Sequence, residues 1–384
     1  MPLLPLLLSL PWLAVPLLTL ARARHSRTLN AEHAEAGDDA PMVSIVIPAR
    51  NEAHNIVRCV ESALASRWPR LDVIVVDDHS TDGTGDLVRA IAERDGRLRV
   101  ITPDPLPSGW FGKQWACAAG AALARGEILA FLDADTWQAP DLVPRAVNAM
   151  RARGSDLLTV AGTQEMDTLW EKLLQPQVFA ILLARYGGTE LVNASRSAAD
   201  KIANGQCMFF RRDAYDAMGG HGAVRDKVAE DLAMAQRFFL HGRRTTIVLG
   251  LDQLRTRMYR SLGELVAGWG KNIYAGGVDA MRFGAAGRAL FPFLLPLPAL
   301  SGLVPPVLLA LSLTGVLGHG WLVWSAIVTS LNLLWWLAVY IALGLSPLYA
   351  FLHPFGATVL LYISLASIRR GRSVEWKGRS YVAG

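Results

Sequence analysis

Asp133-Ala134-Asp135 follows the apolar run Ile128–Leu132 without a break. Two carboxylates one residue apart at a strand end offer hard oxygen ligands to one divalent cation, Mg2+ or Mn2+, and such an ion neutralises a diphosphate. An Asp-x-Asp also arises as a solvated turn, so the strand before it carries the reading. Upstream, Asp77 and Asp78 close a second apolar run, Val73–Val76, and the turn-forming string Ser80–Thr84 follows. Carboxylates at that point accept hydrogen bonds from a base N–H or a ribose hydroxyl, which recognises a nucleoside without metal. Asp82 and Thr84 need no more explanation than a helix cap and a turn. The string Pro48–Glu52 ends the first strand in the same way; capping accounts for Asn51, though not for the string as a whole.

Three further groups could join this chemistry. Lys113 stands where the turn-rich stretch "LPSGWFGKQWACAAG" becomes helical, so its ammonium can reach a phosphate, and Gly109 and Gly112 allow close backbone approach. Trp110 and Trp115 in that stretch fit packing as well as ligand contact. Glu230-Asp231 opens the amphipathic run "LAMAQRFFL". A carboxylate at a helix start is ordinarily a cap favoured by the helix dipole, and in a transferase the same placement presents a general base to an acceptor hydroxyl. Asn204, Gly205 and Gln206 precede the apolar run Cys207–Phe210 and are candidates for the acceptor side.

Positioning these groups requires an α/β domain. Residues 42–255 alternate short β-branched runs with longer helical stretches, the pattern of a mainly parallel sheet. Ligands of open α/β sheets sit beyond the carboxyl ends of strands, and all three of the first apolar runs end in polar residues there.

The flanks belong to a bilayer. Residues 289–368 contain no Asp, Glu, Lys or Arg, and no soluble core element needs so long an uncharged stretch. Glycine and proline breaks divide it into blocks of about 289–316, 321–343 and 346–368, the first proline-broken and expected to re-enter or lie at the interface. Residues 1–21 are apolar enough for an anchor, with Arg22, Arg24 and Arg27 at once behind; a signal peptide would carry its charges ahead of the apolar run. This charge distribution places the following domain in the cytoplasm of a multi-pass cell-membrane protein. Residues 369–384 form a basic tail, with Arg369, Arg370, Arg372, Lys377 and Arg379 against Glu375, suited to anionic lipid headgroups. The net charge of +5 lacks an aromatic-interleaved basic face and so gives no nucleic-acid partner. Three scattered cysteines make neither a disulfide framework nor a zinc site. Between domain and membrane, residues 256–288 hold Leu262, Leu265, Val266, Trp269 and Ile273 on one helical face; this suits an interfacial helix that brings a lipid head to Trp269 and Lys271, or simple packing.

Together the strings resemble the family 2 inverting glycosyltransferases of the GT-A fold. The likeness covers most of residues 42–275. "PLPSGWFGKQWAC", "GGHGAVRDKVAEDLAMA", "RMY" and "GWGKNIYAGG" are similar to the carotenoid-acid (4,4'-diaponeurosporenoate) glycosyltransferase branch. The resemblance implies a GT-A (Rossmann-like) α/β nucleotide-sugar domain with Glu52, Asp77 and Asp78 on the nucleoside and Asp133 on the diphosphate; the reading of the residues adds Pro48 and Lys113 to this donor set. The resemblance also implies Asp133 and Asp135 on the metal and Asp231 as catalytic base; the placement of Glu230, Asn204, Gln206, Trp269 and Lys271 on the acceptor side or behind it comes from the reading of the residues. The donor implied is a UDP-sugar and the acceptor a membrane lipid. Processive members carry Gln-x-x-Arg-Trp after the base; Gly268–Asn272 departs from it, which favours transfer of a single sugar. Transfer to a polyprenyl phosphate, with Lys271 and Arg257 as its basic residues, is the competing activity, and a non-catalytic membrane scaffold on the same fold is the competing class.

Overall fold

A computed structural model of the chain describes residues 3–371, 373–376 and 379–382. Arg372 and Lys377, expected at lipid headgroups, lie outside the described residues. The chain divides into two units, one of Ser26–Glu165, Thr189–Met258 and Arg372–Gly384, the other of Met1–His25, Met166–Gly188 and Tyr259–Gly371.

In the first unit, seven strands form one sheet: β1 (Val43–Ala49), β2 (Leu71–Asp77), β3 (Leu98–Ile101), β4 (Ile128–Leu132), β6 (Leu157–Ala161), β8 (Cys207–Arg211) and β9 (Thr245–Leu249). The order is β3-β2-β1-β4-β8-β6-β9. The first four run parallel, β6 and β9 run parallel to each other, and β8 is antiparallel to both β4 and β6. Short strands β5 (Thr136–Gln138), β7 (Thr163–Gln164) and β10 (Leu254–Thr256) make a side sheet, and β11 (Ser373–Trp376) pairs with β12 (Arg379–Val382) as a hairpin.

The central strands read as unbroken apolar runs because helices cover both faces. Successive residues point to opposite sides: Ile45 and Ile47 join Val73 and Val75 in one core with Ile56, Val60 and Ala146, while Val46 joins Ile74 and Val76 in another with Ala116, Cys117 and Phe131. Each fully buried Val or Ile contributes roughly 1.5–3 kcal/mol, so the register that places Ala49 beside Asp77 is firmly set. That register brings the ends of β1, β2 and β4 to a single edge of the sheet.

The second unit is helical: Leu3–Ala23, Leu169–Tyr186, Leu262–Asp279, Gly284–Leu294, Leu297–Leu313, His319–Ala342 and His353–Arg370. Leu174, Val178, Leu265, Ala299, Leu360 and Ile363 form its core, with Val266, Trp269 and Ile273 packed on it. The apolar face of Leu262–Asp279 is thus spent on neighbouring helices of this unit. Residues 42–255 are not one uninterrupted body, because Met166–Gly188 belongs to the helical unit. Its helix starts with a capping box, Thr168 and Glu171, and buries Leu173, Leu174 and Val178. The proline-rich first block forms two helices meeting near Pro296; among the described residues Gly284–Leu313 is one of four stretches long and apolar enough to cross a membrane, beside Leu6–Ala23, His319–Ala342 and Pro347–Arg370.

Candidate active site

The loops after β1 and β2 are stitched together by hydrogen bonds from backbone N–H groups. Asn51 N–H donates to Ser80 Oγ at 2.9 Å, Glu52 N–H to Thr84 Oγ1 at 2.9 Å and Ala53 N–H to Asp82 Oδ2 at 3.0 Å. Thr81 N–H returns the link to Asn51 Oδ1 at 2.9 Å. Asn51 and His79 hold left-handed backbones, with φ of 53° each, a conformation Asn and His tolerate better than most. Asp82 and Thr84 are therefore structural, as a cap and turn require. The stitching fixes the two carboxylates beside it. Asp77 Oδ1 accepts from Ser80 N–H at 3.1 Å, and Gly85 lies so close under Asp77 that a side chain there would collide with it. Asp78 is 2% exposed, and Arg379 of β12 donates to both its oxygens, at 2.6 and 3.1 Å. Arg379, expected at lipid headgroups, sits on this carboxylate instead. Pro48 is half-buried on β1, and Glu52 accepts from Asn55 Nδ2 at 3.1 Å.

A charge cluster occupies the adjoining part of the edge. The Gly112–Leu123 helix presents Lys113 in its first turn, with Nζ 2.7 Å from Asp133 Oδ1 and 2.7 Å from Glu230 Oε1. The helix start is anchored by Phe111 N–H on Arg225 O at 2.9 Å and by Gln114 Nε2 on Lys227 O at 2.6 Å. Burial pulls the Lys113 ammonium down, yet Asp133 and Glu230 more than offset it and leave its pKa well above the usual value. Burial raises Asp133, with Lys113 opposing. Asp231 accepts from Gly205 N–H at 2.8 Å and from Leu232 N–H at 2.7 Å. Burial, and then the charge of Glu230, push its pKa up to about 6. A Cβ on Gly205 would stand 3.1 Å from Asp231 Oδ2 and 3.3 Å from Glu230 Oε1, so the bare backbone lets the carboxylates approach.

Asn204 and Gln206 shape this floor. Asn204 Nδ2 donates to Val160 O at 3.0 Å and to Gln206 Oε1 at 3.2 Å, and Gln206 O receives Asp133 N–H at 3.1 Å. Trp110 and Trp115 pack edge to face at 5.2 Å, and Trp115 Nε1 donates to Asp104 O at 2.8 Å, which is the packing role. Trp269 and Lys271 lie on Leu262–Asp279 in the helical unit, where Trp269 meets Tyr259 and Phe179 edge to face. Sequence reasoning did not find His221. It is buried beside Phe131, exchanges a 2.7 Å hydrogen bond with Tyr215 Oη, and is held neutral by burial, with its pKa lowered to about 3. Nor did it pair Lys113 with Glu230, for which only the charge complement of separate strings could have been a signal.

Among the described residues no three His, Cys, Asp or Glu side chains gather as a metal-ligand set. Asp133 and Asp135 offer the two hard carboxylates that suffice when a diphosphate and water complete the shell of a cation such as Mg2+. The cluster as a whole can hold an anionic diphosphate against Lys113 and take up a proton at Asp231.

The family model for Glycosyl transferase family 2 matches residues 44–219. A 4,4'-diaponeurosporenoate glycosyltransferase of Staphylococcus haemolyticus (strain JCSC1435) is 24% identical over 249 residues, 65% of this chain and 65% of that protein. Its counterpart in Staphylococcus aureus (strain USA300) is 27% identical over 254 residues, 65% of this chain and 64% of that protein. The chain thus spans less than two thirds of these relatives' length. In fold it is similar to a mannosyltransferase, PcManGT from Pyrobaculum calidifontis in complex with GDP-Man and Mn2+, with 21% identity, a TM-score of 0.54, and coverage of 95% of this chain and 97% of that one. Residues 44–219 thus match the family 2 glycosyltransferase model, and the fold is that of the GT-A glycosyltransferases, in a chain whose described residues include four stretches long and apolar enough to cross a membrane.

Proposed function

We propose that the chain transfers one hexosyl unit, with inversion, from a UDP-sugar to a lipid-like acceptor, a carotenoid acid or a related isoprenoid lipid, at the cytoplasmic face of the membrane. The observation that carries this is the Lys113–Asp133–Glu230 cluster with Asp231 beside it, at the strand edge that also holds Asp77 and Asp78. The relatives' names support the acceptor class, and the chemistry of the Asp77/Asp78 edge supports a nucleoside on the donor.

In the proposed reaction the acceptor oxygen attacks the anomeric carbon as the bond to the departing diphosphate breaks. Asp77 and Asp78, with Pro48 and Glu52 beside them, orient the nucleoside, and Lys113 meets the developing charge on the diphosphate. Asp133 and Asp135 would hold Mg2+ or Mn2+, which when bound supplies further charge for the leaving group. Asp231 receives the acceptor proton if the nucleophile is a hydroxyl. A carboxylic acid is already ionised at neutral pH, and Asp231 then orients it. Glu230 keeps Lys113 in place, and Asn204 and Gln206 support the floor.

Lipid extracts of cells expressing the chain or its Asp231→Asn and Asp135→Ala variants, compared by mass, test the reading. A hexose-bearing lipid that requires the parent chain supports it. Identical extracts refute it, and a hexosylated polyprenyl phosphate would give the reaction to that acceptor instead.

A further inference from the structure

The β11–β12 hairpin returns the end of the chain to the sheet edge where Asp78 stands, and there it makes two contacts of different kinds. Arg379 closes a bidentate pair on Asp78, whose side chain is 3% exposed. Tyr381 stacks edge to face on Phe111 at 4.3 Å, and its hydroxyl oxygen accepts the Gly112 N–H at 3.3 Å. The first contact holds the nucleoside edge, at the end of β2. The second holds the start of the helix that carries Lys113, which meets the diphosphate in the proposed reaction. One hairpin therefore ties together the two halves of the donor site.

A carboxylate buried this deeply keeps its orientation through the bonds it accepts, and here both come from Arg379. The planar fork of Arg fixes the plane of the carboxylate, which a lysine ammonium does not. A carboxylate has about four lone-pair positions and the two bonds from Arg379 occupy two, so Asp78 keeps acceptor capacity for a base N–H or a ribose hydroxyl. We infer that Arg379 is a positioning residue of the donor site, acting through Asp78 to set nucleoside affinity, with Tyr381 bracing the diphosphate side. This rests on the proposed UDP-sugar donor and deepens it: a segment placed after the last membrane-competent helix becomes part of nucleotide recognition.

The test uses the purified full chain in nanodiscs, with UDP binding by calorimetry and donor KM and kcat for Arg379→Ala, Arg379→Lys, Tyr381→Phe, Asp78→Asn and the double variant Arg379→Ala/Asp78→Asn. Arg379→Ala should weaken UDP binding and raise donor KM by about tenfold or more, the scale of a lost charge-assisted pair, with kcat changed much less. Arg379→Lys should recover part of the loss, and Tyr381→Phe should act more weakly. In the Asp78→Asn background Arg379→Ala should add little, which separates positioning from a general loss of folding. UDP binding that is unchanged or tighter in Arg379→Ala, or single effects that add in full, overturns the inference while leaving the donor reading intact. Failure of the parent chain to bind UDP would overturn both.

Discussion

The nucleoside edge and the charge cluster solve the same problem, holding carboxylates at a sheet edge, in opposite ways. Around Asp77 the backbone does the holding: short strings, 48–53 and 77–85, bond to each other through N–H groups and small hydroxyl side chains, while the neighbouring Asp78 takes a cation, the guanidinium of Arg379. Around Asp231 there is far less local stitching. Glu230, Asp133 and Lys113 come from three separate elements and hold one another by charge, and beside them burial, with the Glu230 charge, pushes Asp231 up to about 6. In the proposed reaction this makes recognition of the nucleoside rigid and the reacting cluster electrostatically poised, so substitutions in the two regions should fail differently.

The largest difference should come from Asp231→Asn. With a hydroxyl acceptor kcat should fall about 10²–10⁴-fold while UDP affinity is unchanged, measured by steady-state kinetics and calorimetry. Near-normal turnover of an alcohol would remove Asp231 from the base role. Next, Lys113→Met leaves Asp133 and Glu230 facing each other with no ammonium between them and should cost about 2 kcal/mol of stability, the pair being partly exposed. Adding Glu230→Gln should recover much of that in thermal unfolding; two additive losses would show the cluster is not coupled. The pH profile sharpens the comparison further. In the proposed reaction the ionised form of Asp231 is the base, so the rate with a hydroxyl acceptor should be full above about 6 and fall roughly tenfold per pH unit below it. A carboxylic-acid acceptor should not show that limb. Smallest in effect, Asp82→Ala on the nucleoside edge should lower stability by about 1 kcal/mol and leave kcat nearly unchanged, as loss of a cap does.

Legibility in the sequence follows the same division. The strands β1, β2 and β4 and the carboxylates at their ends could be read directly, because a strand buried on both faces is a continuous β-branched run and the residue after it marks the edge. The turn at Asp82 and Thr84 was plain too, but not the bonds that stitch it to residues 51–53, about 30 positions away. Asp133, Lys113 and Asp231 could each be singled out, but not the ion pairs that join Lys113 to Asp133 and Glu230, since charge attraction between distant strings leaves no periodic trace. Two features escaped for a related reason. Leu169–Tyr186 lies inside the stretch that reads as catalytic domain, and only packing against Leu360 and Ile363 assigns it to the helical unit. Arg379 looks like one more residue of a basic tail until the hairpin carries it to Asp78.

The most direct measurement is release of UDP from a UDP-hexose by the purified chain in nanodiscs with a lipid acceptor, with and without Mn2+, for the parent and Asp135→Ala. The account predicts acceptor-dependent release that needs the divalent ion and drops by about 100-fold or more in the variant, the scale of losing one charge-stabilising group in a transferase site. Equal release by Asp135→Ala and parent, or none by the parent with any UDP-hexose, would contradict it.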